Sequence, residues 1–80
     1  MMKVKVKLYG TLSKGFPGYQ PSQGIEVEMP DRATAKDLLT VLGISESQRA
    51  VVIVEGRILK ADDRVQGGVS VNIMQTISGG

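Results

Sequence analysis

The chain has 80 residues, 41% of them apolar, and a formal net charge of +2. That length fits one small domain, and that apolar share belongs to a folded chain rather than a disordered one. Cys and His are both absent, which excludes disulfides, thiolate metal sites, the usual zinc ligands, a cysteine nucleophile and the commonest general base. Neither a self-contained active site nor a bound metal or cofactor is expected.

The first segment reads M-M-K-V-K-V-K-L. Charges interrupt its apolar residues, so it has neither the apolar core of a signal peptide nor a membrane span, and a cytoplasmic location is expected. Val4, Val6 and Leu8 alternate with Lys3, Lys5 and Lys7. Period two predicts a strand with one buried and one wet face. Residues 10–24 contain Gly10, Gly15, Gly18, Gly24, Pro17 and Pro21, the composition of a long loop, with room for a turn of helix around Leu12. Ile25, Val27 and Met29 alternate with Glu26 and Glu28, a second half-buried strand that Pro30 ends.

Ala35, Leu38, Leu39 and Leu42 then stand at i, i+3, i+4 and i+7, the stripe of an amphipathic helix of about nine residues. Thr34 and Asp37 have the spacing of a capping box, and Gly43 suits the position just past the helix end. Residues 45–49 are a polar turn. Val51, Val52, Ile53 and Val54 form a β-branched run, a strand either buried on both sides or turning its outer face to a partner. Glu55 and Gly56 make a tight turn and residues 57–59 a short returning strand. Residues 61–64 are a second turn, and Gly67 and Gly68 mark a bend. Val69, Val71 and Ile73 alternate with Ser70 and Asn72 as the last strand. The sum is an α+β domain over residues 1–80: one main helix on a mixed sheet of four or five strands. Only Tyr9, Phe16 and Tyr19 are aromatic, so its core must be aliphatic.

Three lysines on one strand face suggest phosphate contacts. If the first two strands form an antiparallel hairpin, however, Glu26 and Glu28 lie beside them and neutralise much of the stripe. With no aromatic residues interleaved to stack bases, nucleic acid is not the expected partner. Asp62 and Asp63 are adjacent carboxylates that point apart and suit a turn better than a metal. Gly67 and Gly68 lack the G-K-[ST] of a phosphate loop.

The sequence finishes on I-S-G-G directly after the last strand. A terminal carboxylate, with a pKa of about 3.5, is ionised at neutral pH and inert to nucleophiles. ATP can activate it as an acyl-adenylate inside an enclosed, water-free site. A bare glycine end threads a narrow channel: a Cβ at Gly80 would crowd the acyl carbon and one at Gly79 would restrict the backbone. The flexible tail is thus suited to be a substrate of another protein's active site.

V-K-V-K-L-Y-G-T-L at residues 4–12 resembles the opening of the small subunit of molybdopterin synthase. A-T-A-K-D-L-L-T-V-L-G-I at residues 33–44 resembles the helix of the wider MoaD/ThiS group of ubiquitin-like sulfur carriers, and V-I-V-E-G-R at residues 52–57 and the final S-G-G fit the same group. Met74, Gln75, Thr76 and Ile77 stand where the molybdopterin branch often has prolines. The resemblance implies a β-grasp (ubiquitin-like) fold and a carrier rather than an enzyme. It implies adenylation of Gly80 by an E1-like adenylyltransferase of the MoeB/ThiF type, with ATP used by that partner and Gly79 giving passage. A sulfur donor would then make the thiocarboxylate, for delivery to a synthase such as the molybdopterin synthase large subunit, molybdopterin being favoured over thiamin. Two alternatives remain: a modifier conjugated to proteins through Gly80, and a β-grasp interaction or RNA-binding module with an idle tail.

If Val69, Val71 and Ile73 face the helix, then Ser70, Asn72, Met74 and Thr76 face outward. Met74, adaptable and apolar beside the tail, is the candidate docking residue, with Leu59 on the short strand a second.

Overall fold

The lysine–valine alternation forms a strand, and its apolar side chains become the centre of the core. In the computed structural model, which describes residues 1–20 and 22–75, the elements run in order. They are β1 (Met2–Leu8), a 3₁₀ helix (Gly10–Gly15), β2 (Ile25–Met29), α1 (Ala35–Val41), a second 3₁₀ helix (Glu46–Gln48), β3 (Ala50–Val54), β4 (Arg57–Leu59) and β5 (Ser70–Gln75). The five strands make one sheet in the order β2-β1-β5-β3-β4. β1 and β5 are parallel at its centre, and every other pairing is antiparallel. This is the α+β arrangement that the pattern predicts, with all five strands present.

α1 follows from its local sequence. Thr34 Oγ1 accepts from the Asp37 N–H at 3.2 Å, while Asp37 Oδ2 accepts from the Thr34 N–H at 3.0 Å, so the capping box is closed from both sides. A cap of this kind is worth about 1 kcal/mol. The regular helix covers seven residues rather than nine, with Leu42 as its C-cap. Gly43 then turns the backbone at φ +74, a left-handed geometry that glycine accepts without strain.

Val4, Val6 and Leu8 of β1, Val27 and Met29 of β2, Val52 of β3 and Val71 and Ile73 of β5 all point to one side of the sheet. There they meet Ala35 and Leu38 of α1, with Val65 from the loop before β5 and Leu12 from the first 3₁₀ helix. Each fully buried aliphatic side chain contributes roughly 1.5–3 kcal/mol of transfer free energy, so the stripe on α1 is held by the sheet rather than by its own short length. Of the β-branched run, only Val52 is fully buried; Val51 and Ile53 are half-exposed on the opposite face. β3 therefore has an open outer side, which sets aside the first of the two readings of that run, burial on both sides. Its hairpin to β4 closes through Glu55 and Gly56 at φ +52 and +79, the paired left-handed geometry of a two-residue turn.

Candidate functional site

Because β1 and β5 are parallel, both leave the sheet at the same end. β1 continues there through Tyr9 into the first 3₁₀ helix, and β5 reaches Gln75. The antiparallel β3 begins at this end, with Ala50 opposite Gln75, and the second 3₁₀ helix leads into it. The end of β5 is thus flanked by a helical turn on each side. Thr76, Gly79 and Gly80 come after it in sequence and lie outside the described residues, as does Pro21.

Hydrogen bonds concentrate at this end. The Tyr9 N–H donates to the Ile73 carbonyl at 3.1 Å, and the Tyr9 hydroxyl donates to Asn72 Oδ1 at 3.3 Å. The Thr11 hydroxyl donates to Gln75 Oε1. Gln75 Nε2 in turn donates to the Gln48 carbonyl at 3.1 Å. Tyr19 reaches in from the long loop, its hydroxyl accepting from the Leu8 N–H at 2.8 Å.

The sheet face turned away from α1 is divided. On β1 and β2 it carries Lys3, Lys5 and Lys7 against Glu26 and Glu28, with Lys3 opposite Glu28 and Lys5 opposite Glu26. Lys3 Nζ approaches Glu26 Oε1 to 3.8 Å, both side chains being well exposed, so the pair adds little stability but cancels charge. On the other strands the same face carries Val51 opposite Met74, and Ile53 opposite Ile58 and Asn72. Met74 is 43% exposed and Ile58 67%. Tyr9, also 43% exposed, borders this apolar area through its bond to Asn72. The area runs up to the residue before Gln75 and so reaches the end from which the tail departs.

Met74 stands on the outer face, as alternation requires. Leu59 does not share that face: it pairs with Val52, packs on the core and lines a cavity of about 260 Å³ with Val54, Val65 and Val69, at the end of β3 away from Gln75. Ile58 is the outward apolar side chain of β4. In a three-residue strand, alternation alone does not say which residue points out. The pairing with β3 decides it, because Val52 is already fixed in the core. Ile53 and Val51 were readable only as one branch of an alternative, and Gln75 was not singled out, although its polarity at an inward position of β5 is the signal that marks it. Asp63, singled out beside Asp62, accepts from the Lys60 N–H at 2.8 Å within a turn.

A five-stranded mixed sheet with central parallel strands and one helix across it is the β-grasp, ubiquitin-like architecture. Solved structures agree. The small archaeal modifier protein 1 of H. volcanii superposes with a TM-score of 0.71 at 16% identity, over 96% of this chain and 100% of that one. A putative molybdopterin converting factor, subunit 1, of Pyrococcus furiosus gives 0.72 at 20% identity, with the same coverage of 96% and 100%. No curated protein sequence matches significantly. The ThiS family model matches residues 7–80, and the chain belongs to that family. The family it joins is one of small ubiquitin-fold sulfur-carrier proteins. Among the described residues no helix is long and apolar enough to cross a membrane.

Proposed function

We propose that this protein is a sulfur carrier whose working group is the carboxylate of Gly80. An E1-like enzyme binds the apolar half of the outer sheet face and receives the tail. The carboxylate attacks the α-phosphorus of ATP, forming an acyl-adenylate and releasing pyrophosphate. A persulfide sulfur then displaces AMP from the acyl carbon, and a thiol cleaves the resulting S–S bond to leave the thiocarboxylate. The protein itself contributes no catalytic group to these steps. It supplies a shape that docks and a tail thin enough to enter. Molybdopterin synthesis is favoured over thiamin as the destination, supported by the name of the Pyrococcus neighbour and by the long loop after β1. An acceptor synthase, such as a molybdopterin synthase large subunit, would then use the same face.

The observation that carries this reading is the family match running through residue 80 on a fold whose exposed apolar face adjoins the end of β5. The experiment is reconstitution of the purified chain with an E1-like activating enzyme and labelled ATP. Adenylate formation that disappears when Gly80 is deleted is the expected result. No adenylate with any E1-like partner defeats the reading. One specific observation favours a second acceptor: the H. volcanii neighbour is a modifier protein by name. If the activated carboxyl goes to lysine amines instead, lysates will show Gly80-dependent conjugates and no thiocarboxylate.

A further inference from the structure

β5 departs from its own pattern at its last residue. Val71 and Ile73 point into the core, and period two sends position 75 to the same side. An apolar residue is expected there, but the chain has Gln75, half-buried opposite Ala50. Both ends of the amide are engaged. Thr11, on the first 3₁₀ helix, donates to Oε1, and Nε2 donates to the carbonyl of Gln48, the last residue of the second. Only this orientation serves both neighbours, since a carbonyl can only accept and the hydroxyl can donate. The Gln48 carbonyl lies at a helix end, where carbonyls lack an intrahelical partner, just before Arg49 turns the backbone at φ +53 into β3. A long side chain gives up much rotamer freedom to be held at both ends. Its return is that the two turns flanking β5 are tied together through one residue.

We infer that Gln75 is a positioning residue: its bridge between the two 3₁₀ helices fixes the direction in which the chain leaves the sheet, and so aims the Gly80 carboxylate. The presenting role rests on the carrier reading above. Five residues follow Gln75 in sequence. Fully extended they could span at most about 17 Å at about 3.4 Å per residue, so the exit direction bounds where the far end can reach. A misplacement of about 1 Å at a reacting atom can already lower a rate about a hundredfold. Docking and aiming are separate tasks here, because Gln75 faces the core side while the apolar patch faces away. Loss of the bridge should therefore lower kcat and leave KM alone.

The test uses Gln75→Met, which keeps length and burial but removes both hydrogen bonds, and Thr11→Val, which removes one. With the activating enzyme, Q75M should lower kcat for adenylation about tenfold, with KM for the carrier within about twofold and the melting temperature nearly unchanged. T11V should fall between. A second measurement needs no enzyme: spin labels on V41C, at an exposed position of α1, and on G80C should give a broader distance distribution in Q75M than in the otherwise unaltered chain. An unchanged distribution overturns the bridge as a direction-setting device. A broadened distribution with unchanged kcat overturns its role in presenting the carboxylate, as does a parallel loss of kcat and melting temperature. If the unaltered chain is never adenylated, the carrier reading and the presenting role fall together, while the label distances still decide whether Gln75 holds the exit.

Discussion

The two halves of the outer sheet face share one backbone geometry and differ in what they ask of their surroundings. On β1 and β2 the outward side chains are lysines and glutamates set opposite one another. They are at ease in water, cancel each other's charge, and protect the edge strand β2 from pairing with other chains. On β3, β4 and β5 the outward residues include Val51, Ile53, Ile58 and Met74. Among the described residues Ile58 and Met74 stay exposed and Val51 and Ile53 half-exposed, and covering a fully exposed side chain of this kind would contribute roughly 1.5–3 kcal/mol. The charged half keeps the domain apart from its neighbours. The apolar half, adjoining the end of β5, is where a partner has most to gain.

This division yields a graded set of outcomes. Placing a charge in the apolar half should do the most damage to binding and the least to folding. Met74→Arg is expected to cost about 3 kcal/mol of affinity for the activating enzyme, roughly a hundredfold, because the charge must be desolvated on docking. Calorimetric titration measures the affinity, and the melting temperature should stay within a few degrees. A normal affinity would mean that the partner docks elsewhere.

The next contrast uses neighbours on one strand. Ile58→Ala should cost about 1–2 kcal/mol of binding and under about 0.5 kcal/mol of stability. Leu59→Ala, on the core side, should do the reverse, losing about 1–2 kcal/mol in urea unfolding with affinity within about twofold. If the two variants behave alike, the division of β4 into an outward and an inward residue is wrong. Smallest of all is a change in the charged half. Lys5→Glu, opposite Glu26, should cost a few tenths of a kcal/mol from like-charge pairing and leave binding unchanged.

Much of this arrangement was legible in the chain itself. Strict alternation defined β1, β2 and β5, and the spacing of Ala35, Leu38, Leu39 and Leu42 with its cap defined α1, because those patterns are local and each residue carries part of the signal. Met74 followed from alternation on a strand long enough to set a phase. Ile58 did not, since three residues of β4 set no phase without their partner strand. Nor did the bridge of Gln75: Thr11 and Gln48 lie 64 and 27 residues away in sequence, and only the pairing of β5 with β1 on one side and with β3 on the other brings those turns together. The order of strands, with β5 inserted between β1 and β3, is a long-range property that no local period encodes.

The proposed function turns on a carboxylate that gains sulfur. Intact-mass analysis of the protein, incubated with an E1-like enzyme, ATP and a persulfide donor, reads that exchange directly. Replacement of one oxygen by sulfur, located at Gly80 by fragmentation and absent without ATP, is the expected result. An unchanged mass under conditions in which the same enzyme and donor load another member of the family would contradict it.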